Sequence, residues 1–137
     1  MGRVLAIDYG RKRTGIAVTD PMRISANPLT TVPTGELPAW LAAYFVGEKV
    51  DEVVIGLPRQ TNGEPSESMR YIEPFVRQFR KLFPDIPLVT FDERFTSVLA
   101  HRAMIDGGMK RKDRQDKAVV DKLAACIILE DYLMSIK

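Results

Sequence analysis

The opening segment of the chain consists of two β-rich runs joined by a short polar turn. Val4–Ile7 is apolar throughout, Tyr9–Arg13 is a polar turn, and Thr14–Thr19 has the composition of a returning strand. Two such runs separated by a few turn residues predict an antiparallel hairpin. The first two strands must therefore lie side by side, and later elements can only add to a sheet that already exists.

Beyond the hairpin, segments of strand and helix character alternate. Short β-rich runs between turn residues predict strands, and apolar residues at helical spacing predict helices. The predicted elements are an extended stretch at Leu29–Val32, a helix at Leu37–Val46, a strand at Glu52–Leu57, a helix at Ser66–Phe83, a strand at Leu88–Phe91, and helices at Thr96–Asp106 and Arg114–Met134. An antiparallel meander followed by this alternation predicts an α/β fold, with a mixed sheet of about five strands flanked by helices.

Length and composition favour one domain over residues 1–137. A chain of 137 residues with 45% apolar side chains can bury one core, whereas two domains would each be too small. Cys126 is the single cysteine, so an internal disulfide is impossible, as is typical of the reducing cytoplasm. Its apolar helical surroundings predict a buried thiol. The sequence lacks a signal-peptide pattern and a membrane-spanning apolar run, so we expect a cytoplasmic protein without a membrane partner.

Positive charge is clustered along the chain although the net charge is only +2. One cluster contains Arg11, Lys12 and Arg13, and a second contains Lys110, Arg111, Lys112, Arg114 and Lys117; Arg94 is a separate candidate for contact with a phosphate. Such clusters can bind the phosphates of a nucleic acid, although solvated surface segments would look the same. Few aromatic residues accompany them in sequence, so base stacking is not expected.

Three acidic residues lie where a charge is costly. Asp8 ends the first apolar strand, Glu93 follows the strand at Leu88–Phe91, and Asp121 lies among apolar neighbours in the last helix. Buried carboxylates need a compensating cation, and the sites of open α/β sheets gather at strand ends. If the strands of Asp8 and Glu93 are neighbours, their carboxylates can converge.

Asp121 can supply a third carboxylate to the same cleft. The residues three and four positions later share its helix face, and they are the small Ala124 and Ala125, which would let the helix approach the sheet closely. Three carboxylates in one cleft form an all-oxygen site suited to Mg²⁺ or Mn²⁺, whereas nearby sequence offers no ligands that favour zinc. Taken singly, each acid could equally be a turn residue or a surface ion-pair partner.

Four motifs follow one another along the chain: Leu5–Gly10 with Thr14–Ala17, Gly56–Pro58 with Asn62 and Gly63, Asp92–Ser97, and Asp121 with Ala124, Ala125, Ile128 and Leu129. In this order they resemble the YqgF-type family, whose members are named Holliday junction resolvases or pre-16S rRNA nucleases. The resemblance, which covers nearly the whole chain, implies a ribonuclease-H-like fold and processing of the 5′ end of pre-16S ribosomal RNA. It also implies a metal-dependent nuclease site at Asp8, Glu93 and Asp121. Related enzymes often carry a fourth carboxylate, for which Asp92 and Asp116 are the nearest candidates.

The chemistry expected of such a site is metal-assisted hydrolysis of a phosphodiester. Asp8 would bridge two ions, Glu93 and Asp121 would each complete one coordination shell, and a metal-bound water would attack phosphorus in line. No Ser-His or Cys-His pair is evident in the sequence, which is consistent with a reaction that needs no protein nucleophile. Gly10 and Gly15 would keep the backbone slim beside the metals, although turn and packing needs explain them equally well.

The sequence leaves three alternatives open. The substrate could be branched DNA rather than structured RNA, in which case a resolvase would act as a symmetric dimer; a monomer and a homodimer both remain compatible. The chain could instead bind RNA without cutting it, as a ribosome assembly factor, and its carboxylates would then not need to converge. A phosphotransferase of the actin-like kinase type is disfavoured, because that group needs two such domains.

Overall fold

The computed structural model describes residues 2–57, 69–92 and 117–135. The strands in these residues are β1 (Arg3–Asp8), β2 (Arg13–Thr19), β3 (Ala26–Pro33), β4 (Val50–Leu57) and β5 (Leu88–Asp92). The helices are a 3₁₀ turn (Thr34–Glu36), α1 (Leu37–Gly47), α2 (Met69–Leu82) and α3 (Lys117–Ser135). The strands form one sheet with the spatial order β3-β2-β1-β4-β5.

The opening hairpin lies at the centre of this sheet. β1 and β2 pair antiparallel with Asp8 opposite Gly15, and β3 adds antiparallel to β2. On the other side, β4 pairs parallel with β1, and β5 pairs parallel with β4. The predicted α/β fold with a mixed sheet is therefore confirmed.

Two strands begin at least two residues earlier than the sequence predicts. β3 begins at Ala26 rather than Leu29, and β4 begins at Val50 rather than Glu52. β3 lies at an edge of the described sheet and is mostly exposed, so backbone pairing forms it without an apolar pattern. An edge position also tolerates Pro28 within the strand. The predicted helix at Thr96–Asp106 and the predicted starts of the second and last helices lie outside the described residues.

Alternation along the strands divides the core into two layers. Leu5 and Ile7 of β1 pack on the side of α1 and α2, whereas Val4 and Ala6 pack on the side of α3. By the same alternation, Asp8 lies on the α3 side of the sheet. Cys126 of α3 is buried as predicted, and burial raises the pKa of its thiol to about 11. None of the helices in the described residues is long and apolar enough to cross a membrane.

Candidate active site

Gly15 brings two of the predicted carboxylates to the same place. It lies opposite Asp8 in the hairpin, and such partners have Cα atoms about 4.5–5.5 Å apart. A Cβ atom added at Gly15 would overlap the carbonyl oxygen of Asp121, so α3 meets β2 backbone against backbone at this level. Gly15 thus touches Asp121 on one element and pairs with Asp8 on another.

Small residues on α3 allow this close approach. Ala124 is 5% exposed and Ala125 is fully buried. Ala125 belongs, with Ala6 and Ala17 of the sheet, to the core layer beneath α3. Larger side chains at these positions would hold the helix away from the strands. The helix therefore approaches the sheet as closely as its alanines predict.

The carboxyl of Asp8 is kept from its ordinary ionisation. Burial, together with the negative charge of Asp121, raises the pKa of Asp8 to about 7, because desolvation and a like charge both disfavour the ionised form. Within residues 2–57, 69–92 and 117–135, no hydrogen bond or ion pair reaches this carboxyl. Those parts of the chain place Asp8 beside a second acid without offsetting its charge.

Asp121, in contrast, has a cationic partner. Arg13 Nε donates to Oδ2 of Asp121 at 2.9 Å, and the two side chains are 39% and 24% exposed. The partner comes from the hairpin rather than from a lysine of the helix itself. Arg13, one of the residues predicted to bind phosphate, thus lies directly at the pair of carboxylates.

The turn that carries Arg13 is held by a residue that the sequence analysis did not single out. The Thr34 hydroxyl donates to the carbonyl oxygen of Gly10 at 2.6 Å, and its backbone N–H donates to the carbonyl of Lys12 at 3.0 Å. Thr34 also lies 2.9 Å from the hydroxyl of the buried Thr14. No sequence signal distinguishes Thr34, because its role depends on the pairing of β3 with β2. A Cβ at Gly10 would overlap the Arg13 carbonyl, so this glycine serves the same turn.

The third predicted carboxylate, Glu93, lies outside the described residues. β5 ends one residue earlier, at Asp92, and β4 lies between β1 and β5. β1 and β5 are therefore not neighbours, so the condition under which the carboxylates of Asp8 and Glu93 would converge from adjacent strands is not met. With strands about 4.8 Å apart, β5 lies about 10 Å from β1. The described residues alone contain no group of three or more acidic, histidine or cysteine side chains that could hold a metal.

The predicted phosphate-binding cations are only partly described. Arg11 lies over the ring of Tyr71, with its guanidinium carbon 5.3 Å from the ring centroid, and Lys12 is exposed on the same turn. The other predicted cations, and Asp116 as a candidate fourth carboxylate, lie outside the described residues; these cations are Arg94, Lys110, Arg111, Lys112 and Arg114.

The topology defines the structural class of the protein. The solved structure "T. thermophilus RuvC in complex with Holliday junction substrate" matches with a TM-score of 0.56, covering 98% of this chain and 96% of that chain at 16% identity. Such a similarity establishes a shared fold. The chain therefore has the ribonuclease-H-like fold that its sequence predicts.

Sequence comparison then identifies the family. A model of the family described as "RuvX: Holliday junction resolvase" matches residues 2–135, and the chain belongs to this family. A relative from Bacteroides thetaiotaomicron named "Putative pre-16S rRNA nuclease" is 58% identical over 98% of both chains. Relatives of the same name from Phocaeicola vulgatus and Flavobacterium psychrophilum are 58% and 55% identical, covering 100% and 97% of this chain and 99% and 97% of their own. The family resemblance is thereby confirmed.

Proposed function

We propose that this chain is a cytoplasmic, metal-dependent nuclease, a single domain over residues 1–137, that processes the 5′ end of pre-16S rRNA. The observation that carries the proposal is the meeting of Asp8 and Asp121 at Gly15, with the pKa of Asp8 raised to about 7. Two acids brought together at a sheet end, one of them uncompensated within the described residues, favour a cation-binding site. The names of relatives at 55–58% identity support the RNA substrate.

The described donors fit Mg²⁺ or Mn²⁺. Both are carboxylate oxygens, which are the ligands that these hard cations prefer. A divalent cation would also offset the desolvation and repulsion that raise the pKa of Asp8. We assign metal binding to Asp8 and Asp121 together with Glu93, which the family resemblance adds. A divalent ion held there would supply a hydroxide-like water and stabilise charge on the departing oxygen.

The chain's own residues fix where these groups stand. The Gly15 contact sets the depth of Asp121 against the sheet, and β1 presents Asp8 at the same level. Arg13, on the turn held by Thr34, supplies positive charge at the edge of the pair, where a phosphate could exchange for Asp121 as its partner. Arg11 and Lys12 extend the positive charge outward. The same phosphate-binding role is proposed for Arg94, Lys110, Arg111, Lys112 and Arg114.

A comparison of two substrates tests the function. A precursor of 16S rRNA and a four-way DNA junction are incubated in parallel with Mg²⁺ or Mn²⁺, with the Asp8→Asn chain as control. We expect cleavage of the RNA at its 5′ leader and none by Asp8→Asn. Cleavage confined to the DNA junction would instead support the resolvase named by the family description. Binding of the RNA with no cleavage in either metal would favour an assembly factor.

The oligomeric state sharpens the same comparison. A resolvase cuts two symmetric strands and works as a dimer, whereas cleavage of one RNA strand needs a single active site. Light scattering on the purified chain, with and without the junction, measures the relevant mass. A monomer under both conditions supports the RNA substrate, and junction-induced dimers would count against it.

A further inference from the structure

A groove beside α2 is lined by neither Asp8 nor Asp121. Its volume is about 510 Å³, and it is lined by Tyr9 and by Tyr71, Phe75, Arg77, Gln78 and Lys81 of α2. Tyr71, Phe75 and Gln78 recur at intervals of four and three residues, so they share one face of the helix. The groove therefore lies between this helix face and the end of β1.

The groove combines a fixed aromatic wall with an exposed aromatic ring. Tyr9 stacks on Phe75 with ring centroids 4.8 Å apart, and Phe75 is 5% exposed, so the core holds Tyr9 in place. Tyr71 is 41% exposed and is covered in part by the Arg11 guanidinium. Arginine on an exposed ring contributes only about 0.5–1 kcal/mol, so a nucleobase can take its place on Tyr71.

The charge of the groove complements a polyanion. α2 carries Arg70, Arg77, Arg80 and Lys81 against a single acid, Glu73. Arg77 and Lys81 line the groove itself, and none of its described lining residues is acidic. Tyr71 and Lys81 are ten residues apart on one helix, which separates them by about 15 Å along its axis. Because Arg11 lies over Tyr71, the cations Arg11, Arg77 and Lys81 extend over about this length, which suits a phosphate backbone rather than a single small anion.

The groove reaches the end of the strand that carries Asp8, because Tyr9 lines it. Asp8 and Tyr9 are consecutive residues at the carboxyl end of β1, and their side chains lie on opposite sides of the sheet. α2 joins two parallel strands, so it runs back along the sheet and starts near their carboxyl ends. Leu57, which ends β4, and Ile72 accordingly line one neighbouring groove. A flexible strand that passes round the end of β1 would reach both Tyr71 and Asp8.

We propose that this groove binds single-stranded nucleic acid leading to the Asp8 site, with a base stacked on Tyr71 and phosphates held by Arg11, Arg77 and Lys81. The proposal deepens the proposed nuclease function and rests on it for the direction of the strand. Gln78 offers both donors and an acceptor for a base edge. The sequence predicts no base stacking, because few aromatic residues lie near the cations along the chain. Tyr71 is distant from Arg11 in sequence but lies against it in the fold, so the proposal assigns a stacked base to this ring.

Binding without cleavage isolates the groove from the catalytic site. Fluorescein-labelled oligouridylate RNA, oligothymidylate DNA and a short RNA duplex are titrated by fluorescence anisotropy in EDTA, with Asp8→Asn as the parent chain. Tyr71→Leu is expected to weaken binding of the single strands by about 5- to 150-fold, since a stacked base contributes about 1–3 kcal/mol. Duplex binding should be unchanged, because paired bases cannot stack on the ring. Tyr71→Phe keeps the ring and should bind as the parent does.

A charge variant and a matched control test the phosphate contacts. Lys81→Gln should weaken single-strand binding several-fold and reduce the slope of log affinity against log salt by about 0.7. Lys49→Gln removes the same charge from an exposed residue that precedes β4 and does not line the groove. It should change affinity less than about two-fold, because salt screens an exposed charge that makes no contact with the bound strand.

The outcomes separate the groove from the nuclease. If Tyr71→Leu binds single strands as tightly as Lys49→Gln does, or if Tyr71→Phe loses as much affinity as Tyr71→Leu, the groove proposal is wrong. The nuclease proposal still stands in that case if the unaltered chain cleaves the rRNA precursor. Tyr71-dependent binding by a chain that cleaves no nucleic acid with Mg²⁺ or Mn²⁺ would overturn the nuclease function and support the groove. Loss for RNA but not DNA supports the groove and assigns it to RNA.

Discussion

An aspartate lies at each end of the same sheet, and the surroundings of the two carboxyl groups shift their pKa values in opposite directions. At the amino end, Asp51 of β4 accepts a hydrogen bond from the Gly2 N–H at 2.8 Å and another from Arg23 at 2.8 Å. The Gly2 hydrogen bond and the nearby positive charges hold the pKa of Asp51 below its ordinary value. At the carboxyl end, burial and Asp121 raise the pKa of Asp8 to about 7.

The difference teaches what kind of acid belongs to a site. The protein itself supplies hydrogen-bond partners to the carboxylate of Asp51. One of them, Arg23, has a left-handed backbone conformation, with φ of 58°. Asp8 has no such partner within the described residues, and its pKa is raised instead. Residue type and position at a strand end are the same for both. What differs is whether the charge is offset inside the fold.

The largest expected effect is on catalysis. Asp8→Asn should lower the rate of phosphodiester cleavage by about 10³-fold or more, because metal stabilisation of the transition state is worth several kcal/mol. Asp51→Asn should change the rate less than about three-fold, since its partners lie at the other end of the sheet. Initial rates under single-turnover conditions with Mn²⁺ measure both. Equal losses in the two variants would remove the distinction between a functional and a structural aspartate.

The next largest effect is expected on stability, at the contact between Gly15 of β2 and Asp121 of α3. Gly15→Ala should destabilise the fold by about 1–3 kcal/mol, because its Cβ would overlap the backbone of Asp121 and force α3 away. The catalytic rate should fall with it. Gly35→Ala is the matched control, since no atom lies within 4 Å of its added Cβ. Urea unfolding measures both; a stable, active Gly15→Ala chain would show that α3 need not touch β2.

The pH dependence of stability should have opposite signs at the two ends. The folded pKa of Asp8 lies above its unfolded value of 3.8, so stability is lost as pH rises from the unfolded pKa to the folded pKa of about 7, and the loss levels off above it. Asp8→Asn should therefore raise the free energy of unfolding in EDTA near pH 8 by about 2 kcal/mol, discounted for partial exposure, and the gain should disappear near pH 4.

Asp51 supplies the opposite case. Its folded pKa is lowered, so it contributes stability above its unfolded pKa, and that contribution is lost as pH falls through the folded pKa. Asp51→Asn should therefore be less stable than the unaltered chain at neutral pH and converge with it in acid. If Asp8→Asn and Asp51→Asn both ran parallel to the unaltered chain, the contrast between the two ends would fail.

The sequence predicts the fold well because its signals are local. The hairpin, the strand at β4 and the amphipathic α2 follow from apolar periodicity, and each appears in the structure. The same reasoning places Asp8 at a strand end. It also anticipates the alanines that let α3 approach the sheet.

The sequence does not predict which distant residues become neighbours in the fold. Strand order decided that β4 would separate β1 from β5, and no local pattern encodes that order. Arg13 pairs with Asp121, which lies 108 residues later in the chain, and Tyr71 of α2 lies against Arg11 of the turn between β1 and β2. The raised pKa of Asp8 likewise depends on burial and on Asp121. These interactions arise from the packing of distant segments, so they require the fold.

The smallest expected effect concerns the ion pair between Arg13 and Asp121 at the carboxyl end of β1. Arg13 pairs with Asp121 through one nitrogen in a half-exposed setting, where an ion pair contributes at most about 1 kcal/mol. A metal that binds Asp121 must weaken this pair, so Arg13→Gln should tighten Mn²⁺ binding by about two- to five-fold. Isothermal titration with Mn²⁺ measures the change directly.

Lys12→Gln removes the same charge from the same turn but without a described ion pair, so a general loss of positive potential would affect both variants alike. A tightening confined to Arg13→Gln would show that the site's own cation competes with the metal, unlike Arg23, which completes Asp51. Equal tightening in both variants, or none in either, would mean that the Arg13 pair does not oppose metal binding.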